Sequence, residues 1–284
     1  MGFSNYSVQN SLSNRVSKHY YTKSADEIFT QNKVKRIHPS MDPKGIIVRE
    51  CLDSEAHPLT VPIILSLDLT GSMQQIPLNL IRNGLPKLMG RLVQNGVKDA
   101  SLLFVGVGDH ECDDAPLQVG QFESGDEELD LWLTRTWIEG GGGGNGGESY
   151  LLAWYFGAFH TKIDSFEKRG KKGFLFTIGD EPCLRNLPAR SIAEIIAEGQ
   201  HSTFTEEQLL AKAQEKYNVF HIHVLEGQQG HSSLPYWKKL LGQNCIEVSD
   251  YETIPTVVAE IVMKNSEVTL VAPATDLTNT QEIL

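Results

Sequence analysis

The feature that most constrains this chain is a series of short, nearly continuous apolar runs. They are Val61-Pro62-Ile63-Ile64-Leu65-Ser66-Leu67, Ser101-Leu102-Leu103-Phe104-Val105-Gly106-Val107, Gly173-Phe174-Leu175-Phe176-Thr177-Ile178 and Val219-Phe220-His221-Ile222-His223-Val224-Leu225. Runs of this length without polar alternation leave no face for water. They read as strands buried on both sides, as in the middle of a parallel sheet. Helical signals lie between them. Ile76, Leu80, Leu85, Leu88 and Leu92 follow helical spacing up to Asn95-Gly96, with Pro77 tolerated early and Pro86 interrupting the helix. Residues 126–138, the aromatic-rich Tyr150 to His160, and 252–264 also read as helices. Thr205-Glu206-Glu207-Gln208 is a capping box that opens a further helix running to Tyr217. Leu117 to Phe122 alternates like an edge strand, and Cys245 to Val248 adds a last strand. Strands alternating with helices predict an α/β fold: a doubly wound, mostly parallel Rossmann-like sheet with helices on both faces and one antiparallel edge strand.

The expected organisation is an N-terminal extension over residues 1–58, partly ordered at most, a main domain over 59–268 and a C-terminal tail over 269–284. The extension is rich in Ser, Asn, Lys and Gln, and only Lys44 to Arg49 reads as a strand in it. Hydrophobic residues at 40% and charged residues at 21% are ordinary for a globular chain, and 284 residues accommodate a core of this kind. A formal net charge of −11 argues against a nucleic-acid partner, because phosphate contacts need clustered cations. The one dense basic run, Lys168-Arg169-Gly170-Lys171-Lys172, reads as a solvated turn before a strand. Cys51, Cys112, Cys183 and Cys245 are scattered, which suits a reducing compartment. The N-terminus lacks the apolar core of a secretion signal, and Tyr6 stands where a myristoylation motif needs Ser or Thr. No apolar run approaches the roughly 20 residues that span a bilayer. The expectation is a cytoplasmic protein with no membrane partner.

Two of the buried runs lead into an aspartate. Asp68 directly follows Leu67, and Asp180 follows Ile178-Gly179. Parallel strands deliver such residues to one rim of the sheet, where ligands bind in this fold class. Thr70 and Ser72 stand two and four residues beyond Asp68, in a turn that Gly71 permits. Their hydroxyls and the two carboxylates make an all-oxygen donor set. Mg²⁺ prefers such a set, octahedral at about 2.1 Å and partly hydrated, with Mn²⁺ or Ca²⁺ as alternatives.

Asp68-Leu69-Thr70-Gly71-Ser72 resembles the D-x-[ST]-x-S signature of the metal-ion-dependent adhesion site in von Willebrand factor A domains. The resemblance extends over roughly residues 60–265. Gly144-Asn145-Gly146-Gly147-Glu148-Ser149 is similar to the G-G-D-x-P-E segment of one branch of that family, with Asn145 for its aspartate and Gly147 for its proline. Thr177-Ile178-Gly179-Asp180-Glu181-Pro182 is similar to the T-D-x-P loop, with Gly179 inserted before the aspartate. Val107-Gly108-Asp109-His110 resembles the R-D-H loop. The resemblance implies a metal site formed by Asp68, Thr70, Ser72, Glu148 and Asp180. It also implies a module that grips an acidic residue of a protein partner through the ion. The threonine that many members supply from the glycine loop is absent, and Glu148 holds the place of the branch's glutamate. If all three carboxylates bound directly the ion would be over-neutralised. The expectation is therefore direct Thr70 and Ser72, with Asp68 and Asp180 largely acting through water.

Other features receive plainer readings. The glycine run formally matches a nucleotide-loop pattern but follows no strand, so a flexible loop or hinge is expected. Asp109, His110, Glu111, Asp113 and Asp114 read as an exposed acidic loop, with Asp109, His110 and Asn145 as candidates to support the ion from behind. A rival reading makes Asp109 and His110 part of a metal-dependent hydrolase or phosphatase, which would need two metals about 4 Å apart. No nucleophile–base pair stands out, so no catalytic residue is assigned. A third reading is an accessory subunit of an ATPase or of a defence or assembly complex. His221 and His223 share one face of a buried strand and read as core residues, and Trp132, Trp137, Trp154 and Trp237 as packing residues at helical positions.

Overall fold

A computed structural model describes residues 6–141, 145–197 and 199–266, with the backbone but not the side chain of Ser72. The expected tail over 269–284 lies outside the described residues. A six-stranded sheet forms the centre. Its strands are β2 (Val61–Asp68), β3 (Ala100–Val107), β4 (Leu117–Val119), β6 (Gly173–Gly179), β9 (Tyr217–Val224) and β10 (Cys245–Val248), in spatial order β10-β9-β6-β2-β3-β4. Every pairing is parallel except β3 with β4. The apolar runs thus occupy the middle of the sheet, and β4 is the antiparallel edge. Among the described residues no helix is long and apolar enough to cross a membrane.

Strand periodicity divides the core into two layers. Ile63, Leu65 and Leu67 of β2, with Leu102, Phe104 and Phe176, face the helices α2 (Leu85–Gln94) and α7 (Ile254–Asn265). Ile64 of β2, with Leu103, Val105 and Leu175, faces α4 (Tyr150–Phe159) and α5 (Glu206–Lys216). Asp68 has the same parity as Ile64, so its side chain emerges on the α4 side. The α4 helix is apolar all round, as a helix buried between sheet and outer elements must be.

The chain between β2 and β3 is broken as its prolines dictate. A helix over Gln75–Asn79 passes through a π-turn at Leu80–Gly84 into α2, whose first turn holds Pro86. The widened turn absorbs the hydrogen bond that Pro86 cannot donate. Sequence spacing does not announce α6 (Gly230–Leu241), which begins Gly-His-Ser-Ser and carries Pro235 inside it. It nonetheless closes the α4 face, because Trp237 is fully buried there. Trp137 lies beyond α3 (Asp126–Thr134) rather than on it, and Gln118 holds it at both backbone groups, each bond 2.9 Å.

Residues 6–57 carry α1 (Val8–Ser17), two single-turn helices at Ala25–Ile28 and Gln31–Val34, and β1 (Arg49–Cys51). The strand expected over Lys44–Arg49 begins only at its last residue. Pro43–Gly45 is a 3₁₀ turn and Ile47 is exposed, since Pro43 fixes a turn geometry where a ladder would have to start. The partner of β1 is β5 (Thr161–Ile163), which follows α4, so a small parallel ribbon sits beside the main sheet, and β7 (Asn186–Leu187) pairs with β8 (Phe204–Thr205) in a second, antiparallel one. Arg15 on α1 is fully buried and pairs with Asp126 at 3.3 Å, and the Tyr20 hydroxyl donates to Asp130 at 2.8 Å. Ile28 and Phe29 enter the layer beneath α2.

This integration gives a measurable expectation. Phe29→Ala should cost about 3–5 kcal/mol in urea unfolding, as for other fully buried aromatics. A loss under about 1 kcal/mol would mean that the N-terminal segment unfolds separately from the sheet.

Candidate metal centre

The strand register brings the two aspartates together. Leu67 lies opposite Ile178 and Asp68 opposite Val107, so Asp68 stands level with Gly179 and Asp180 lies one residue beyond. Both aspartates are fully buried. Thr70 is also buried, and its backbone N–H and hydroxyl both donate to Asp68 Oδ1, at 2.9 and 2.5 Å. This Asx-type turn holds the Asp68–Ser72 loop against its own strand. The side chain of Ser72 lies outside the described residues.

A second donor reaches Asp68 from the helix layer. The Tyr150 hydroxyl, at the start of α4, donates to Asp68 Oδ2 at 2.8 Å. The residue after Ile178 must then be glycine. A Cβ on Gly179 would collide with the Tyr150 hydroxyl and stand 2.9 Å from Asp68 Oδ2. Gly179, a departure from the T-D-x-P pattern, thus makes room for the tyrosine. Asp180 is held at the N-terminus of α6. The Gln229 N–H donates to its Oδ2 at 2.9 Å, and the Ser233 hydroxyl donates to its backbone carbonyl. A helix N-terminus is a favourable neighbour for a carboxylate.

Glu148 joins from the third loop. Its backbone N–H donates to Pro182 O at 2.9 Å and its carbonyl accepts from Leu184 N at 3.0 Å, a one-residue parallel bridge to Cys183. The loop after Asp180 therefore carries Glu148 with it, and the side chain is only 2% exposed. The preceding glycine segment is tied to the first loop by Gly71 N to Gly141 O at 3.1 Å and Gly140 N to Leu69 O at 3.3 Å. Gly140 adopts φ +71°, open to few other residues.

Asp109 is fully buried, unlike the exposed acidic loop expected around it, because the loop folds over its own carboxylates. Its Oδ1 accepts from Glu111 N and its N–H donates to Asp113 Oδ2, both at 2.8 Å. His110 is bound through Nδ1 to the Ser149 hydroxyl at 2.7 Å. Asn145 is exposed and donates to Glu111 Oε2 at 3.0 Å, so it links two loops at the surface. His221 and His223 lie in the core. His223 Nε2 meets the Gly230 carbonyl at 2.6 Å, so it carries the proton. His223 Nδ1 then accepts from His221 Nε2 at 3.2 Å, and His221 Nδ1 from Thr177 at 2.9 Å. Burial pushes the pKa of both rings down, and His221 stacks on Trp237 with ring centroids 3.5 Å apart.

The electrostatics of this rim are one-sided. Among the described residues Asp68, Asp109 and Glu148 have no ion pair with Lys or Arg. Asp109 Oδ2 and Glu148 Oε2 are buried without a hydrogen-bond partner. Burial, then the charges of Asp68, Glu181, Asp113 and Asp109, push the Glu148 pKa up to about 10. Burial, and beyond it the charge of Asp180, pushes Asp68 up to about 7 against its hydrogen bonds from Thr70 and Tyr150. Burial beside Asp68 raises the Tyr150 phenol well above its ordinary value, so it remains a donor. The carboxylates do not converge into a cage. Among the described residues no three His, Cys, Asp or Glu side chains are placed to hold an ion by themselves. An ion here would also need hydroxyl and water oxygens, of the kind Thr70 can offer.

No family model matches the sequence, and no curated protein matches it. Among solved structures the chain is similar to the pilus adhesin SpaC from Lactobacillus rhamnosus GG in its open conformation, at 12% identity and a TM-score of 0.47, over 78% of this chain and 31% of that one. It is similar to proximal thread matrix protein 1 from the mussel byssus, at 11% identity and a TM-score of 0.48, over 72% of this chain and 47% of that one. It is also similar to the conserved hypothetical protein BatB from Bacteroides thetaiotaomicron, at 12% identity and a TM-score of 0.44, over 72% of this chain and 98% of that one. The chain thus spans under a third of the adhesin's length.

Asp68, Thr70, Ser72, Glu148 and Asp180, and the acidic loop with Asp113, are legible in the sequence; Tyr150 and the N-terminus of α6 are not. The first tyrosine of an aromatic helix carries no chemical signature, and α6 has no opening signal. The uncompensated charge sets the expected behaviour of the metal-free protein. In excess chelator at pH 7 Glu148→Gln should unfold at higher denaturant than the parent, by up to about 3 kcal/mol, because the buried carboxyl must take up a proton on folding and a neutral amide need not. A loss of stability would show that the carboxylate already has a counter-charge.

Proposed function

We propose that this rim binds one Mg²⁺ and that the chain is a von Willebrand factor A-type module gripping an acidic residue of a protein partner through that ion. The observation that carries the reading is that the buried carboxylates of Asp68, Asp109 and Glu148 have no Lys or Arg partner among the described residues, that Asp109 Oδ2 and Glu148 Oε2 also have no hydrogen-bond partner there, and that the Thr70 hydroxyl lies on Asp68. Buried like charges persist in folded proteins when a counter-ion or a proton neutralises them, and a divalent cation does so without protonating them. Thr70 and Ser72 would bind directly, Asp68 and Asp180 through water, and Glu148 would balance charge from the side. Mn²⁺ or Ca²⁺ fits the same donor chemistry. A hydrated ion held this way keeps a position that a partner's carboxylate can take.

The test is calorimetric titration of Mg²⁺ into the parent, Asp68→Ala and Glu148→Ala. One ion per chain is expected, with affinity reduced at least tenfold in both variants; unchanged affinity in both would sink the reading. Two ions per chain would instead favour metal-dependent hydrolysis through Asp109 and His110. Capture of a partner should be lost in chelator and restored by Mg²⁺.

A further inference from the structure

The opposite pole of the sheet has the opposite charge. A cavity of about 550 Å³ opens at the amino ends of β2, β6 and β9, far from the carboxylate rim along the strands. Its wall includes Lys98 before β3 and Arg169, Lys171 and Lys172 of the basic run before β6. Ser165 and Ser266 also line it, and both hydroxyls are buried without a hydrogen-bond partner. Leu59, Pro62 and Phe174 supply an apolar side.

The nearby acids engage Arg169 but leave Lys98 and Lys172 without a carboxylate partner among the described residues. Asp53 is taken up by Arg169 and by the backbone and hydroxyl of Thr60. Asp99, the one acid in the wall, accepts from Leu59 N at 3.0 Å and faces His57 at 3.4 Å. Lys98 and Lys172 are exposed and have no carboxylate partner among the described residues; Lys172 donates to the Gln214 carbonyl at 2.5 Å. In a chain of net charge −11 this concentration of cations is local. Cations around a concave wall that also holds unpaired hydroxyl donors match the chemistry of a phosphate group. The volume falls in the range of small-molecule sites.

We propose that this cavity is an anion site for a phosphate-class ligand, a phosphorylated small molecule whose apolar part rests on Leu59, Pro62 and Phe174. It is independent of the metal reading. The test is a heteronuclear NMR titration of the full chain with inorganic phosphate, at constant ionic strength and in chelator so that no ion at the other rim recruits the anion. Saturable shifts confined to the amides of residues 96–99 and 165–172 are expected. Affinity should fall at least tenfold in Lys98→Gln/Lys172→Gln, whose melting temperature should be unchanged because both side chains are exposed. Ser165→Ala should weaken binding severalfold without lowering the melting temperature in the absence of phosphate. Shifts that never saturate or that spread to distant lysines such as Lys33 and Lys44 would overturn the proposal. So would equal affinity in the double variant.

Discussion

The parallel register of β2 with β6 is the constraint from which the rest of the rim follows. Two strands that run the same way and pair Leu67 with Ile178 must release their next residues at the same edge. Strand alternation then fixes which layer each side chain enters. Asp68 shares the parity of Ile64 and meets α4, where Tyr150 waits with a donor. Asp180 meets the first turn of α6. Hydrogen bonds satisfy single oxygens but leave the net charge in place, and desolvation makes that charge expensive. On the proposed reading, a bound cation would offset that charge and leave the hydrogen bonds intact.

Much of the sheet was legible because its signals are local. A buried strand writes its burial into consecutive residues, and the acid that ends it is visible at once. Asp68, Thr70 and Asp180 could therefore be named from spacing, and Glu148 from resemblance. What escaped depends on partners distant in the chain. Tyr150 reads as one more aromatic until β2 is laid beside α4. Gly179 reads as a stray insertion until the tyrosine hydroxyl occupies the space its side chain would need. The N-terminal residues have weak periodicity because α1 contributes a buried Arg15 and a few polar contacts rather than an apolar stripe. Trp137 follows helical spacing yet lies beyond the helix, since the hold of the Gln118 side chain on its backbone leaves no trace in local sequence.

The molecule is also polarised along its strands. Carboxylates gather where the parallel strands end and lysines where they begin, and the neutral imidazole chain from Thr177 to Gly230 lies buried near the acidic end. Neutral rings suit that place: they bond one another and the helix in a single direction of donation without adding charge. The basic turn before β6 is solvated, as its sequence suggests, and it borders the same concavity as Lys98 and the hydroxyls of Ser165 and Ser266.

The bridge between Glu148 and Cys183 has a consequence for assembly. It joins a residue that precedes α4 to one that follows β6, so closing it spans both elements. Such long-range closure belongs late in folding, since loop entropy must be spent before the contact returns anything. The carboxylates come together where these three loops meet, so their mutual repulsion belongs to the folded arrangement. An ion that needs all three loops would distinguish finished molecules from partly folded ones.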